Sequence, residues 1–349
     1  MSEISVPDYR VRLFLSVDLT GSTAFKSKEN SFVWLKAFQL FYGEFPAMFA
    51  VEYTRVCEGI GSIHPTEKAA PPQIWKTIGD EILFVNRVHS ITHLGAYVTA
   101  FSNSLHKFGE SLGQFKGLNT KGNGWVAAFP SPNCSIGVSE GGNSDPMSGL
   151  DELRSEAFES EVDKAPGNYD FLGKGIDGGF RISRNSTVNS FTISPALAFL
   201  LTLAKGNPLA TSFELDFRFH EPQSFKGVVA GLPYPIISID TVRTAGEEHL
   251  QELEAKLLQK PNMVDDCVVL KDYLENYIEL HKIEKPRLKL TNGSAAEAEP
   301  EHYKEYVEQW QREYAKSLSD QESLLQDGDS TLDSEIPDAD IAAKKFDAD

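Results

Sequence analysis

Residues 10–17, Arg-Val-Arg-Leu-Phe-Leu-Ser-Val, constrain this chain most: charged and apolar side chains alternate and then give way to an apolar run, the pattern of a strand entering a core. The run ends at Asp18, and Leu19-Thr20-Gly21-Ser22-Thr23 follows. From Asn30, the residues Phe32, Leu35, Phe38, Phe41 and Phe45 recur at three- and four-residue spacing, which predicts an amphipathic helix with Pro46 as its stop or kink. Strand therefore passes to helix within a dozen residues.

Residues 51–58 and 74–86 read as further strands, the second folded back at a Gly79-Asp80 hairpin tip. The stretch between them holds Gly59, Gly61, Pro65, Pro71 and Pro72 and reads as a loop. Ile91, Leu94, Val98, Phe101, Leu105, Phe108 and Leu112 keep helical spacing until Gly113. Residues 125–129 and 135–138 read as the next strands, and 140–167, rich in Gly, Ser, Asp and Glu, as an exposed insertion. The order β, α, β-hairpin, α, β predicts an α+β fold, a ferredoxin-like or palm βαββαβ sheet with helices on one face.

The character changes after residue 240. Helical segments are expected at 249–259 and 264–283, then a linker at 291–300 and a helix at 302–326. In that last helix Tyr303, Tyr306, Val307, Trp310 and Tyr314 form one stripe, which docks on the main domain or pairs with a second copy. Three regions follow: a main domain over 1–240, a helical extension over 241–318, and an acidic tail over 319–349. Residues 320–349 hold ten Asp or Glu and two Lys, too polar a composition to order itself.

The net charge of −18 argues against nucleic-acid phosphates or anionic membranes as partners. Cys57, Cys134 and Cys267 are odd in number and widely spaced, which indicates neither a disulfide framework nor a zinc site. There is no signal-peptide pattern, and the most apolar run, 195–204, is about half of what a spanning helix needs. A soluble, cytoplasmic protein is expected.

Three segments could carry chemistry. Asp18 at a strand end before a Gly-Ser-Thr turn offers an oxygen ligand for a hard cation beside backbone N–H groups that suit phosphate; it equally suits a helix N-cap. Trp75-Lys76-Thr77-Ile78-Gly79-Asp80-Glu81 exposes a second carboxylate on a neighbouring strand, and the two together suit Mg²⁺ or Mn²⁺; an Asp at a hairpin tip also simply forms turns. Asn168-Tyr169-Asp170-Phe171-Leu172-Gly173-Lys174-Gly175-Ile176-Asp177-Gly178-Gly179-Phe180-Arg181 contains G-x-G-x-x-G, but 191–204 has no acidic residue to hold a ribose, so the dinucleotide reading fails. Asp177 and Arg181, four apart, share a helix face and could form a surface ion pair.

Taken in order, these segments resemble the class III nucleotidyl cyclases over residues 10–240: an apolar strand ending in Asp, then Lys-x-x-Gly-Asp, then Asp followed by a Gly, a polar residue and Arg. The resemblance implies that Asp18 and Asp80 bind two divalent ions, Mn²⁺ or Mg²⁺, with the Leu19 carbonyl as a further ligand. It implies that Gly21, Ser22 and Thr23 lie along the nucleoside triphosphate, that Lys76 and Asp170 face the base, and that Arg181 stabilises charge on the α-phosphate. It also implies a head-to-tail homodimer with composite sites. Where the purine cyclases have Asn, this chain has Asp177, whose role is left open.

A closer resemblance is to the bacterial pyrimidine cyclases of the Pycsar antiphage system, resting on residues 75–84, on Gly124-Trp125-Val126-Ala127-Ala128-Phe129-Pro130 and on 170–181. It implies cyclisation of UTP, or of CTP, to a second messenger read by a separate effector. Lys226-Gly227 resembles the family's late Lys-Gly turn, and is otherwise an exposed turn. Lys76 as donor and Asp170 as acceptor suit adenine and cytosine, and with partners exchanged uracil, so base choice and an adenylate cyclase stay open. A catalytically silent, nucleotide-binding sensor is the alternative of another kind. His89 and His93 are four apart but lack H-E-x-x-H and a third ligand, and read as helix-surface residues.

Overall fold

In the computed structural model, residues 4–61, 63–137, 154–205, 213, 215–227, 229–241, 245–258, 263–291 and 298–329 are described; at 230, 245 and 321–329 this extends to the backbone alone. β1 (Arg10–Thr20) leads into α1 (Ser22–Lys28), α2 (Ser31–Gly59) and α3 (Pro65–Lys68). The hairpin β2 (Ile74–Ile78) and β3 (Glu81–Val88) precedes α4 (Ile91–Ser111) and β4 (Asn119–Phe129). Then come β5 (Cys134–Gly137), α5 (Glu156–Lys164), β6 (Tyr169–Leu172) and α6 (Lys174–Ile182). β7 (Ser190–Ile193), α7 (Pro195–Lys205), β8 (Phe217–Ser224) and β9 (Pro233–Asp240) complete the sheet region. α8 (Ala245–Leu258), α9 (Cys267–Leu280) and α10 (Glu301–Asp329) follow.

The expected α+β architecture is present. Among the described residues seven strands form one sheet in the order β2-β3-β1-β4-β7-β9-β8, and β5 pairs with β6 separately. β4 and β7 are parallel; every other neighbouring pair is antiparallel.

The two-residue period of β1 decides what each face of the sheet does. Val11, Leu13, Leu15, Val17 and Leu19 enter a core with the aromatic stripe of α2 and with α4 and α7. Phe14, on the other face, stacks on Trp125 in a second cluster with Trp75, Phe171 and Ile176. Burying each Phe of the α2 stripe stabilises the fold by roughly 2–3 kcal/mol.

That second cluster corrects two expectations. Helices do not lie on one face alone, because α5, α6 and the β5–β6 pair cover the other. Residues 154–167, expected in an exposed insertion, include α5, whose Glu159 and Val162 are fully buried. The reason is charge: β1 turns Arg10 and Arg12 toward this face, and α5 supplies Glu156, Glu159 and Asp163 to pair with them. The remainder of that expected insertion, up to 153, lies outside the described residues.

Two other expectations fail. Residues 51–58 are not a strand but the second half of α2, which passes through Pro46 without stopping. Proline there removes one backbone hydrogen bond, while Phe41, Phe45, Phe49 and Tyr53 continue one buried stripe across it. His93 is not on the surface: it is fully buried, its Nε2 is 2.9 Å from the Tyr53 hydroxyl, and His89 stacks on it.

The aromatic stripe of α10 docks on the main domain, where the Tyr303 hydroxyl donates to the Pro7 carbonyl and the Trp310 indole N–H to that of Arg154, at 3.0 and 2.8 Å. The helix continues to Asp329, past the expected start of the tail; residues 330–349 lie outside the described ones. No helix among the described residues is long and apolar enough to cross a membrane.

Candidate active site

The carboxylate end is built by β1 and the β2–β3 hairpin. In register Asp18 stands opposite Glu81 of β3 on one side and Lys121 of β4 on the other, so the three belong to one cross-strand row. The hairpin tip is tied to this row: the Leu19 N–H donates to the Asp80 carbonyl at 2.9 Å, and the Ser22 hydroxyl donates to the Asp80 carboxylate. Gly79 turns the tip with φ of 62°, and its carbonyl accepts from the Tyr42 hydroxyl.

Gly21 is required by space as well as by conformation. Its φ is 83°, and a Cβ there would lie 2.1 Å from the Gly117 carbonyl oxygen. The turn thereby holds Ser22 against Asp80, while Thr23 is exposed on the first turn of α1. Asp18 does not cap α1, where Gly21 takes the N-cap position, and Asp80 sits at the hairpin turn with its carboxylate held by the Ser22 hydroxyl.

Charge at this point is unbalanced. Desolvation pushes the Asp18 carboxyl up to about 6, and Asp80 and Glu81 push in the same direction, against the Lys121 ammonium, 3.8 Å away. A divalent cation would relieve that imbalance, so the residues fit Mg²⁺ or Mn²⁺. Among the described residues no group of three or more His, Cys, Asp or Glu is placed to hold a metal ion, so Asp18 and Asp80 would be its side-chain ligands here. Lys121 was not picked out from the sequence; its place opposite Asp18 follows only from the β1–β4 register.

The second group lies on the edge strand. The Lys76 ammonium on β2 pairs with the Asp170 carboxylate on β6 at 2.9 Å, each side chain about one-third exposed at 34% and 37%. The Trp75 ring packs against Phe14 and Phe171, and its indole N–H donates to the Tyr169 carbonyl at 3.0 Å. That contact aligns β2 with β6 and brings the two side chains together.

The third group is α6, whose glycines serve packing. A Cβ on Gly173 would lie 2.3 Å from Asn133 Oδ1, and one on Gly179 would lie 2.1 Å from the Trp125 ring. The helix thus presses onto β4 and turns Asp177 and Arg181 outward, both exposed. The two form no ion pair with each other, contrary to the simplest reading of their spacing. Gly227 lies alongside, where a Cβ would sit 3.7 Å from the Arg181 guanidinium, which brings the Lys226-Gly227 turn beside α6.

Among the described residues no ion pair joins Asp18 and Asp80 to Lys76 and Asp170, or either set to Arg181. Neither a family profile nor a curated relative matches the chain. Solved structures with some likeness include the adenylyl cyclase CyaB from P. aeruginosa, 11% identical over 66% of this chain and 94% of that one, with a TM-score of 0.40. The guanylate cyclase domain of RhGC from Catenaria anguillulae, in complex with GTP, is 12% identical over 68% of this chain and 100% of that one, with a TM-score of 0.41. The guanylyl cyclase Cya2 is 15% identical over 67% and 93%, with a TM-score of 0.39. Likeness at this level carries no function across, and the side chains of this chain must supply the functional reading.

Proposed function

We propose that this chain is a metal-dependent nucleotidyl cyclase that acts as a homodimer on a pyrimidine nucleoside triphosphate, UTP before CTP. The observation that carries the proposal is the pairing of a desolvated Asp18 with Asp80 at one end of the central strands, a site short of positive charge. A divalent ion bound there would neutralise charge on the triphosphate.

In the reaction the substrate's 3′-hydroxyl oxygen forms a bond to its own α-phosphorus, the bond to the pyrophosphate oxygen breaks, and the hydroxyl proton passes to solvent. Catalysis of this kind is positioning and electrostatics. Asp18, Asp80 and the Leu19 carbonyl hold the ion end, with Gly21, Ser22 and Thr23 beside the phosphates. Lys76 and Asp170 bind the base edge, and Arg181 counters charge on the α-phosphate, with Asp177 beside it on the exposed face of α6.

A second copy would complete this division of labour, in keeping with the composite sites that the sequence resemblance implies. Ile74 and Ile78 on the β2 edge and Leu172 on β6 are exposed at 42%, 48% and 49% around Lys76 and Asp170, an apolar rim suited to a partner protomer. We further place the protein in the cytoplasm, with its cyclic product read by a separate effector in antiphage defence; the sequence resemblance supports that role.

The test incubates purified protein with ATP, GTP, CTP and UTP, each separately with Mn²⁺, and identifies products by mass spectrometry. A cyclic pyrimidine monophosphate is the expected result. Cyclic AMP or GMP would keep the chemistry and overturn the base assignment, and nucleotide bound without product would make the chain a sensor.

A further inference from the structure

We infer that the helical extension positions α6, and with it Asp177 and Arg181, by gripping both ends of that helix: Glu284 through Asn133 at the first turn and Tyr277 through Tyr234 at the last. The inference rests on the cyclase reading for its consequence on turnover, and on contacts alone for the grip itself.

α6 spans nine residues and begins at Gly173, which has no side chain to cap it. The cap comes from elsewhere in the chain: Asn133, fully buried, accepts the Gly175 N–H through Oδ1 at 3.0 Å, the second helical position where an N-cap side chain normally acts. The other end of the same amide donates to the Ala128 carbonyl at 3.0 Å and to Glu284 Oε2 at 3.4 Å. Glu284 lies between α9 and α10, and its Oε1 faces His302 of α10 at 4.0 Å. One buried amide thus links α6, β4 and the extension.

At the far end Ile182 packs with Phe225, Tyr234 and Ile236. Tyr234 meets Tyr277 of α9 edge to face, with ring centroids 6.4 Å apart, and the Tyr277 hydroxyl donates to the Pro233 carbonyl at 3.0 Å. Between the two ends, Gly179 lies flat on Trp125. Contact at both termini and along the middle leaves α6 to move as one piece, so a displacement of Glu284 or Tyr277 reaches the exposed Arg181. Asn133, Glu284 and Tyr277 are positioning residues in this scheme and touch no substrate.

The test uses full-length protein with Mn²⁺ and whichever triphosphate the wild type turns over, and compares Asn133→Ala, Glu284→Ala and Tyr277→Phe. Each should lower kcat, Asn133→Ala by about tenfold or more, with KM within about threefold, since displacement of a reacting group by about 1 Å costs up to about a hundredfold. Hydrogen exchange should quicken over residues 174–182 and stay unchanged over 11–17. Unchanged exchange at 174–182 in all three variants, or a loss confined to KM, would overturn the inference. Should Asn133→Ala not fold, the milder Glu284→Ala and Tyr277→Phe carry the comparison. A wild type that turns over none of the four triphosphates refutes the cyclase reading alone, and the exchange experiment still decides whether the extension grips α6.

Discussion

Replacing Glu284 by Gln should remove a pH-dependent weakness from the fold. Burial pushes this carboxyl from 4.5 up to about 8, although the Ala128 N–H and the Asn133 amide favour its ionised form. The folded chain therefore holds a proton that the unfolded chain releases, so stability falls as pH rises from about 4.5 to 8 and is level outside that window. At 1.36 kcal/mol per pKa unit the full span is worth about 5 kcal/mol, a ceiling because 15% of the side chain is exposed. His302, held below its ordinary value by burial, acts in the opposite sense below 6.5, where its neutral form is the favoured one in the fold. Urea melts of wild type and Glu284→Gln at pH 5 and pH 8 isolate the carboxyl, since other titrations are common to both proteins. The variant should be the more stable at pH 8, by a margin that shrinks at pH 5. An identical pH slope in the two proteins would refute the burial of an ionisable Glu284.

How far the site could be read from sequence depends on the range of the contact. The β1 alternation is local, and it assigns Asp18 to the face opposite Val17 and Leu19 with no structure in hand. Lys121 lies in Asp18's row only because β4 pairs with β1 in one register, and a slip of one residue would turn it to the other face. The second half of α2 looked like a strand because Val51, Tyr53, Thr54 and Val56 favour strands and Pro46 looked like a break; burial of Phe45, Phe49 and Tyr53 outweighs both. The G-x-G-x-x-G pattern at 173, 175 and 178 has the look of a dinucleotide turn but serves packing: Gly173 admits Asn133, and Gly179 beyond it admits Trp125, partners 40 and 54 residues away in the chain. α5 was hidden by its own acidity, since carboxylates read as surface unless the arginines that pair with them inside are known.

Further outcomes follow from the same contacts. Gly21→Ala should destabilise the fold by at least about 1–3 kcal/mol in a denaturant melt, from its left-handed φ alone, and more if Gly117 cannot yield. Glu159→Ala should cost about 3–5 kcal/mol, because it leaves the Arg12 guanidinium, 1% exposed, with one carboxylate fewer inside the protein. Asp18→Ala and Asp80→Ala should each abolish cyclic product while sedimentation still shows a dimer; product from either variant would refute the assignment of the carboxylate pair. Lys121 gives the most direct reading of the charge at that pair. Among the described residues its ammonium is the cation paired with Asp18, and a metal ion would have to compete with it for the same oxygens. Lys121→Met should therefore lower the Mn²⁺ concentration needed for half-maximal binding, by about fivefold or more, since unit charges about 4 Å apart in high dielectric repel by about 1 kcal/mol and Mn²⁺ carries two. Calorimetric titration with Mn²⁺ and no nucleotide measures this directly, and an unchanged or weaker affinity in the variant would mean that the ion does not bind at Asp18.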